Sequence, residues 1–352
     1  MPKSKDASSA SGTLVTVAVD AMGGDYAPEI NIRGALLALQ QDKSLAIQLF
    51  GKKEEIARLL KKRGKKSSRL SIVDCSDVIT MEDHAASIRK KPSSSIAMGL
   101  QAVKDKKASA FISAGHSGAV MAGALFIVGR IADVERPAIM VKVPTISGSV
   151  ILLDAGANVD CKASQLFQFA EMGKLYAEII EGISVPKIGL LSNGAEATKG
   201  NELTRETHEL LDQALFEGYI GYVEGFDLFR STADVIVCDG FAGNVALKTA
   251  EGLADTVFQW FRLEIRRHVV SLLGLALMRK ISKRFQRKFD YKPYGAAPLL
   301  GIDGVVLISH GRSNEIAIKN GILTAKKAVE QKFTDKMKRF MEEKAKPKAS
   351  AQ

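Results

Sequence analysis

Residues 17–25 read VAVDAMGGD, which sets an acid, Asp20, just ahead of a glycine pair, Gly23 and Gly24. Paired glycines let a backbone take positive φ and approach a ligand closely. An amphipathic stretch, 30–39, follows Pro28, so the turn feeds a helix whose first N–H groups can receive an anion. Related turns recur. SAGHSGA carries Ser113, Gly115, His116 and Ser117, and DAGAN carries Asp154 and Asn158. SNGAEATKGNE carries Lys199 and Asn201, CDGFAGN carries Asp239, Gly243 and Asn244, and SHGRSN carries His310 and Ser313. A sixth turn, YGAAPLLG, lies at 294–301. Such residues suit a reaction that needs a cradle for a polyanion, donors for a developing oxyanion and alignment of two reactants.

Each candidate has a chemical role and a structural one. Lys199, in a polar loop ahead of a helix, holds phosphate as a point charge or is a solvated lysine. Asn244 donates to the ligand or caps a helix start. His310 protonates a leaving group, donates to phosphate or orders its own turn. His116 donates to an anion at a helix N-terminus. Asp20, Asp154 and Asp239 orient backbone N–H groups of the pocket or pair with Lys and Arg, since an anion site has little use for free carboxylates. A basic, serine-rich lead, Arg89 to Ser95, binds an anion or starts an exposed helix. GxSxG, HExxH, GxxxxGK[ST] and GxGxxG are absent, which argues against hydrolase, metalloprotease, kinase and dinucleotide-binding readings. No metal and no cofactor is expected.

The turns need a scaffold. β-branched runs at 15–19, 46–50, 70–73, 110–112, 138–143, 150–153, 187–191, 219–223, 235–237 and 305–308 read as strands. Helical patterns occupy 30–40, 53–63, 94–103, 118–131, 163–181, 202–215, 242–267 and 313–344. This alternation predicts an α/β fold, a mostly parallel sheet with helices on both faces. Ligands in such folds sit at the carboxyl ends of strands, where these turns fall, so the six are expected on one rim around a polar pocket.

Composition sets outer limits. The chain has 352 residues, 46% of them hydrophobic, and a formal charge of +11. The charge is concentrated: nine Arg or Lys against one acid, Glu264, between Arg262 and Lys288, and six against three from Thr334 to the end. A local basic patch predicts docking of an acidic partner or an anionic membrane rather than nucleic acid. Cys75, Cys161 and Cys238 lack metal or CxxC spacing and fit reduced thiols of a cytoplasmic protein. The stretch 1–12 reads as a disordered tail without an apolar signal core, and no uncharged apolar run is long enough to span a bilayer. A single catalytic domain is expected over 13–333, with a basic tail at 334–352.

Within that domain, 256–292 reads as a projecting basic amphipathic helical segment. An apolar centre with Leu272, Leu273, Leu275 and Leu277 is flanked by Arg266, Arg267, Arg279, Lys280, Lys283 and Arg284. This pattern suits an interfacial helix on anionic lipid. A homodimer contact and a dock for an acidic carrier protein are its rivals.

The phrases VDAMGGDYAP, SAGxxGA, LLDAGAN, KGNE, VEG, CDGFAGNVALKTAEG and YGAAPLLG…HGRS, in this order from about Val15 to about Leu323, resemble the bacterial phosphate acyltransferase (PlsX) family. The resemblance implies a Rossmann-like fold and transfer of a fatty acyl group from acyl carrier protein to inorganic phosphate, giving acyl phosphate for phospholipid synthesis. It also implies a homodimer and reversible contact with the inner face of the membrane. Catalysis is expected from Lys199, whose KGN phrase matches the family, and from Asn244 and His310. The sequence departs from the family pattern at His116, Ser117, Ser192, Asn193, Ala195, Tyr222 and Phe226. Three rival readings remain open: a phosphotransacetylase-like enzyme using acyl-CoA, a decarboxylating dehydrogenase of the isopropylmalate type, and a non-catalytic lipid-binding protein.

Overall fold

The computed structural model describes residues 14–64, 67–196, 198–267, 278 and 295–345. Its strands form one 11-stranded sheet: β1 (Val15–Asp20), β2 (Leu45–Gly51), β3 (Leu70–Asp74), β4 (Ala110–Ser113), β5 (Ala138–Pro144), β6 (Ser149–Leu153), β7 (Ile188–Leu191), β8 (Tyr219–Val223), β9 (Val235–Val237), β10 (Ala296–Leu300) and β11 (Val305–Ser309). Their order is β3-β2-β1-β4-β11-β10-β5-β6-β9-β7-β8. The longer helices are α1 (Glu29–Gln41), α2 (Lys53–Lys62), α3 (Ser95–Lys104), α4 (Ser117–Gly123), α5 (Ala163–Tyr176), α6 (Glu202–Gln213), α7 (Gly240–Arg266), α8 (Glu315–Glu330) and α9 (Phe333–Ala345).

The sheet consists of two parallel blocks. β3, β2, β1, β4 and β11 run together. β6, β9, β7 and β8 run together in the opposite sense, because β10 and β5 each pair antiparallel with both neighbours. Carboxyl ends of the two blocks therefore leave opposite edges, which corrects the expectation of six turns on one rim. Asp20, Ser113 and His310 belong to one edge; Asp154, Asp239 and Lys199 belong to the other.

Strand alternation sends side chains to two faces. In the first block, Val17, Val19, Ile112 and Leu307 pack under α1 and α8, while Ala18, Phe111, Val306 and Ile308 pack under α3 and α4. In the second block, Ile151, Leu153, Val235 and Val237 meet α5, and Val150, Leu152, Ile236 and Cys238 meet the start of α7.

Three sequence expectations change. The turn expected at 294–301 contains β10, whose Ala-Ala-Pro start lacks β-branched residues and is a strand through its pairing with β11. The single helix expected over 313–344 breaks between α8 and α9, where Lys332 takes φ 52. The expected tail from 334 begins inside α9, which buries Met337 and Met341 beside Phe333 against the α5 side of the core. Regular spacing of these apolar residues among lysines makes the stretch amphipathic rather than merely basic.

Candidate active site

Asp154 is fully buried beyond β6 and organises its turn. Its Oδ1 accepts from the N–H groups of Ile139 (2.9 Å), Gly156 (3.2 Å) and Ala157 (3.0 Å). Oδ2 accepts from Asn158 N–H (2.7 Å) and from Asn158 Nδ2 (3.0 Å), which also donates to the Pro137 carbonyl. Burial pushes this carboxyl above its ordinary range and the donated bonds pull it back. All five partners are N–H donors, an arrangement that matches a carboxylate. Asp154 and Asn158 thus hold the loop shape and present Gly156, at φ 132, outward.

Asp239 caps α7, accepting from Ala242 N–H at 2.8 Å. The cap role considered for Asn244 is therefore filled by Asp239, and Asn244 projects one turn further on against Gly156. Gly243 lets that turn of α7 lie directly on the Asp154 carbonyl.

At the other edge, Ser113 Oγ donates to Asp20 Oδ2 at 2.6 Å and accepts from Gly115 N–H at 2.9 Å. Met22 N–H donates to Asp20 Oδ1. Burial raises the Asp20 carboxyl, while the Ser113 and Ser95 hydroxyls oppose that rise. Gly23 packs against Gly115 with no room for a side chain, and Gly24 takes φ 101 beside the Gly311 carbonyl. Ser313 is buried against Ser309, Oγ to Oγ 2.8 Å. Asp20, Ser113 and Ser313 thus act as buried supports.

His116 caps α4 through Nδ1, which accepts from Ala119 N–H at 3.1 Å. His310 Nδ1 accepts from Arg312 N–H at 3.1 Å. For a ring that accepts at Nδ1, the neutral tautomer carries its proton on Nε2. Burial lowers the His310 pKa, with the nearby charges of Lys248 and Arg312 acting the same way.

A cleft of about 1350 Å³ joins the two edges. Ser117, Gly156, Asn244, Lys248, His310 and Gly295 form its polar end. Pairing between β10 and β5 stops after Ile139, where Pro298 has no N–H to offer, and the cleft opens where the strands part. Its longer wall, from β5 and α7, is mostly apolar, with Glu251, Asp255, Gln259 and Arg262 of α7 also on the lining, and a shorter arm reaches the Lys142–Glu181 ion pair (2.6 Å).

Sequence reasoning missed Lys248 and Gly156. Lys248 follows Asn244 by four residues, one helical turn, and pairs with Glu251 at 2.7 Å. That i, i+4 relation within CDGFAGNVALK was the available signal. Lys199 and Asn201 lie outside the cleft wall. Asn201 caps α6 by accepting from Thr204 N–H (2.9 Å), and Lys199 is exposed on the loop after β7. The basic lead at 89–95 is satisfied locally. Lys91 pairs with Asp83 at 2.8 Å, Arg89 stacks on Phe126 at 3.7 Å, and Ser94 caps α3.

Of the projecting segment, Arg267 is exposed and pairs with Glu264. The Arg266 side chain, Leu272, Leu273, Leu275, Leu277, Arg279, Lys280, Lys283 and Arg284 lie outside the described residues. Among the described residues, no helix is long and apolar enough to cross a membrane.

A family model described as "Fatty acid synthesis protein" matches residues 15–336. A phosphate acyltransferase of Geobacter sulfurreducens is 47% identical over 326 residues, covering 91% of this chain and 94% of that protein. One of Dictyoglomus turgidum is also 47% identical, covering 91% and 96%. The chain belongs to the phosphate acyltransferase family. It is an enzyme of that class, serving lipid synthesis. Among solved structures, a phosphotransacetylase from Streptococcus pyogenes superposes with TM-score 0.61 at 20% identity, covering 90% of this chain and 94% of the other. The EutD phosphotransacetylase from Staphylococcus aureus gives 0.57 at 16%, covering 90% and 94%. These two share the α/β fold.

Proposed function

We propose that this phosphate acyltransferase moves a fatty acyl group from the thioester of acyl carrier protein to inorganic phosphate. The observation that carries this reading is the cleft itself, which sets Asn244, Lys248 and His310 beside a mostly apolar lining from β5 and α7. Hydrogen phosphate is already a nucleophile at neutral pH. One of its oxygens attacks the thioester carbon, and the carbonyl electrons move onto oxygen. Collapse of that oxyanion expels the thiolate, which takes the proton that hydrogen phosphate gives up. The products are acyl phosphate and the free carrier thiol.

Asn244 and the Nε2–H of His310 serve as donors to the oxyanion or the departing sulfur, and Lys248 neutralises phosphate. Lys199 stands on the loop that leaves the same sheet edge as the α7 N-terminus, makes no ion pair among the described residues, and adds a second cation. A covalent enzyme intermediate has no role. Burial pushes the Cys75 and Cys161 thiols up to about 12 and raises Cys238 well above the ordinary thiol value, so none is a ready nucleophile.

The last turns of α7 expose Trp260, Phe261 and Leu263 immediately before the basic segment. This supports contact of that end with an anionic membrane, with carrier docking and homodimer formation as companion roles. The deciding experiment measures release of free thiol from purified acyl carrier protein thioester with and without phosphate. Phosphate-dependent release is expected. Release independent of phosphate, or activity confined to acyl-CoA, overturns the reading.

A further inference from the structure

We infer that the trough between β5 and α7 holds the acyl chain, and that Ala250 and Ala254 set the longest chain it accepts; this extends the function proposed above. Both walls start at the polar end. β5 leaves it at Ile139, beside the Asp154 turn, and finishes at Pro144. α7 leaves it at Asn244 and continues to Arg262. Six residues of strand and nineteen of helix cover roughly 20 and 28 Å. That is the scale of an extended long-chain acyl group.

Leu247, Ala250, Ala254 and Phe258 recur at helical spacing and are half-buried toward the sheet, whereas Leu253 and Val257 are exposed at the rim. Ile139, Val141 and Val143 belong to the opposite wall. The two alanines leave the middle of the trough wide, with Leu247 before them and Phe258 beyond. The shorter arm is a poor alternative. It ends on the Lys142–Glu181 ion pair, and Lys327 there donates to the Ile180 carbonyl at 2.6 Å. Placing methylenes against those groups would cost the desolvation of charge.

The test compares palmitoyl and octanoyl thioesters of acyl carrier protein on wild type, Ala254→Phe and Ala250→Phe. Ala254→Phe is expected to lower palmitoyl kcat/KM about tenfold or more while octanoyl stays within about twofold, because each buried methylene contributes several-fold to binding. Ala250→Phe, nearer the polar end, shifts the cut-off to shorter chains. Phe258→Ala extends it. Retained octanoyl turnover shows that each variant is folded. An unchanged chain-length profile overturns the inference, and so does equal loss with both donors. Binding of palmitoyl and octanoyl phosphates, read from the fluorescence of Trp260, the only tryptophan, supplies the same comparison without turnover. If wild type shows no phosphate-dependent release, the proposed reaction fails, while this binding series still decides the trough.

Discussion

Gly243 lies so close beneath Asp154 that a Cβ built on it falls 1.9 Å from the Asp154 carbonyl oxygen. That oxygen belongs to backbone fixed by five hydrogen bonds to its own side chain, so it cannot yield. Gly243→Ala must instead push the start of α7 outward, carrying Asn244 and Lys248 away from Gly156 and His310. The expected result is a loss of about 1–3 kcal/mol in stability, the scale of an overpacked core. Activity should fall further than that loss explains, because misplacement of a positioning helix by about 1 Å can cost ~100-fold. Thermal unfolding measured beside kcat/KM on one preparation separates the effects. Wild-type values for both would mean that α7 does not seat on the Asp154 turn.

Asn244 and Lys248, one helical turn apart, face one ligand and should not behave as independent sites. Asn244→Ala and Lys248→Ala are each expected to lower kcat/KM about 10²-fold, the scale of a lost oxyanion donor. The Lys248 variant should also raise the KM for phosphate, since its charge is available to the dianion before the transition state forms. The double variant should lose less than the product of the single effects, as groups acting on one anion do. Full additivity would place the two residues on different ligands. Lys199→Ala belongs in the series. A phosphate KM unaffected in that variant would remove the loop after β7 from the anion site.

Much of this arrangement was legible in the sequence. Ten strands announced themselves because β-branched residues alternate between two buried faces. The glycine turns were legible because Gly24 and Gly156 hold positive φ and Gly23, Gly115 and Gly243 permit close packing. Three things were not legible. The reversal of strand direction between the blocks depends on β10, whose Ala296, Ala297 and Pro298 carry no strand signal and pair only because β11 is adjacent. Which polar residues support and which touch a ligand depends on burial. Asp20, Asp154 and Ser113 look as reactive in sequence as His310, yet all three are buried. Lys248 was overlooked because a lysine in a helix reads as a solvated face until the helix is seen to roof a cleft.

The His310 ring gives the activity a directional pH dependence. Burial, with Lys248 and Arg312 nearby, lowers its pKa from the ordinary 6.5, and the charges of Glu251 and Asp25 only partly oppose this. The neutral ring accepts from Arg312 N–H at Nδ1, which sets its proton on Nε2. Protonation fills Nδ1 and breaks that bond. The sign follows: a depressed pKa keeps the working form dominant above 6.5, and the form is lost as pH falls through the lower value. Titration of His310, followed by its ring proton resonances, should therefore show a midpoint below 6.5. kcat, measured at saturating phosphate, should drop on the acid side with the same midpoint. In His310→Gln, which keeps a neutral donor without a titrating ring, that acid limb should vanish while some activity remains. An identical acid limb in the variant would assign it to another group, and a His310 midpoint above 6.5 would contradict the environment that Lys248 and Arg312 create.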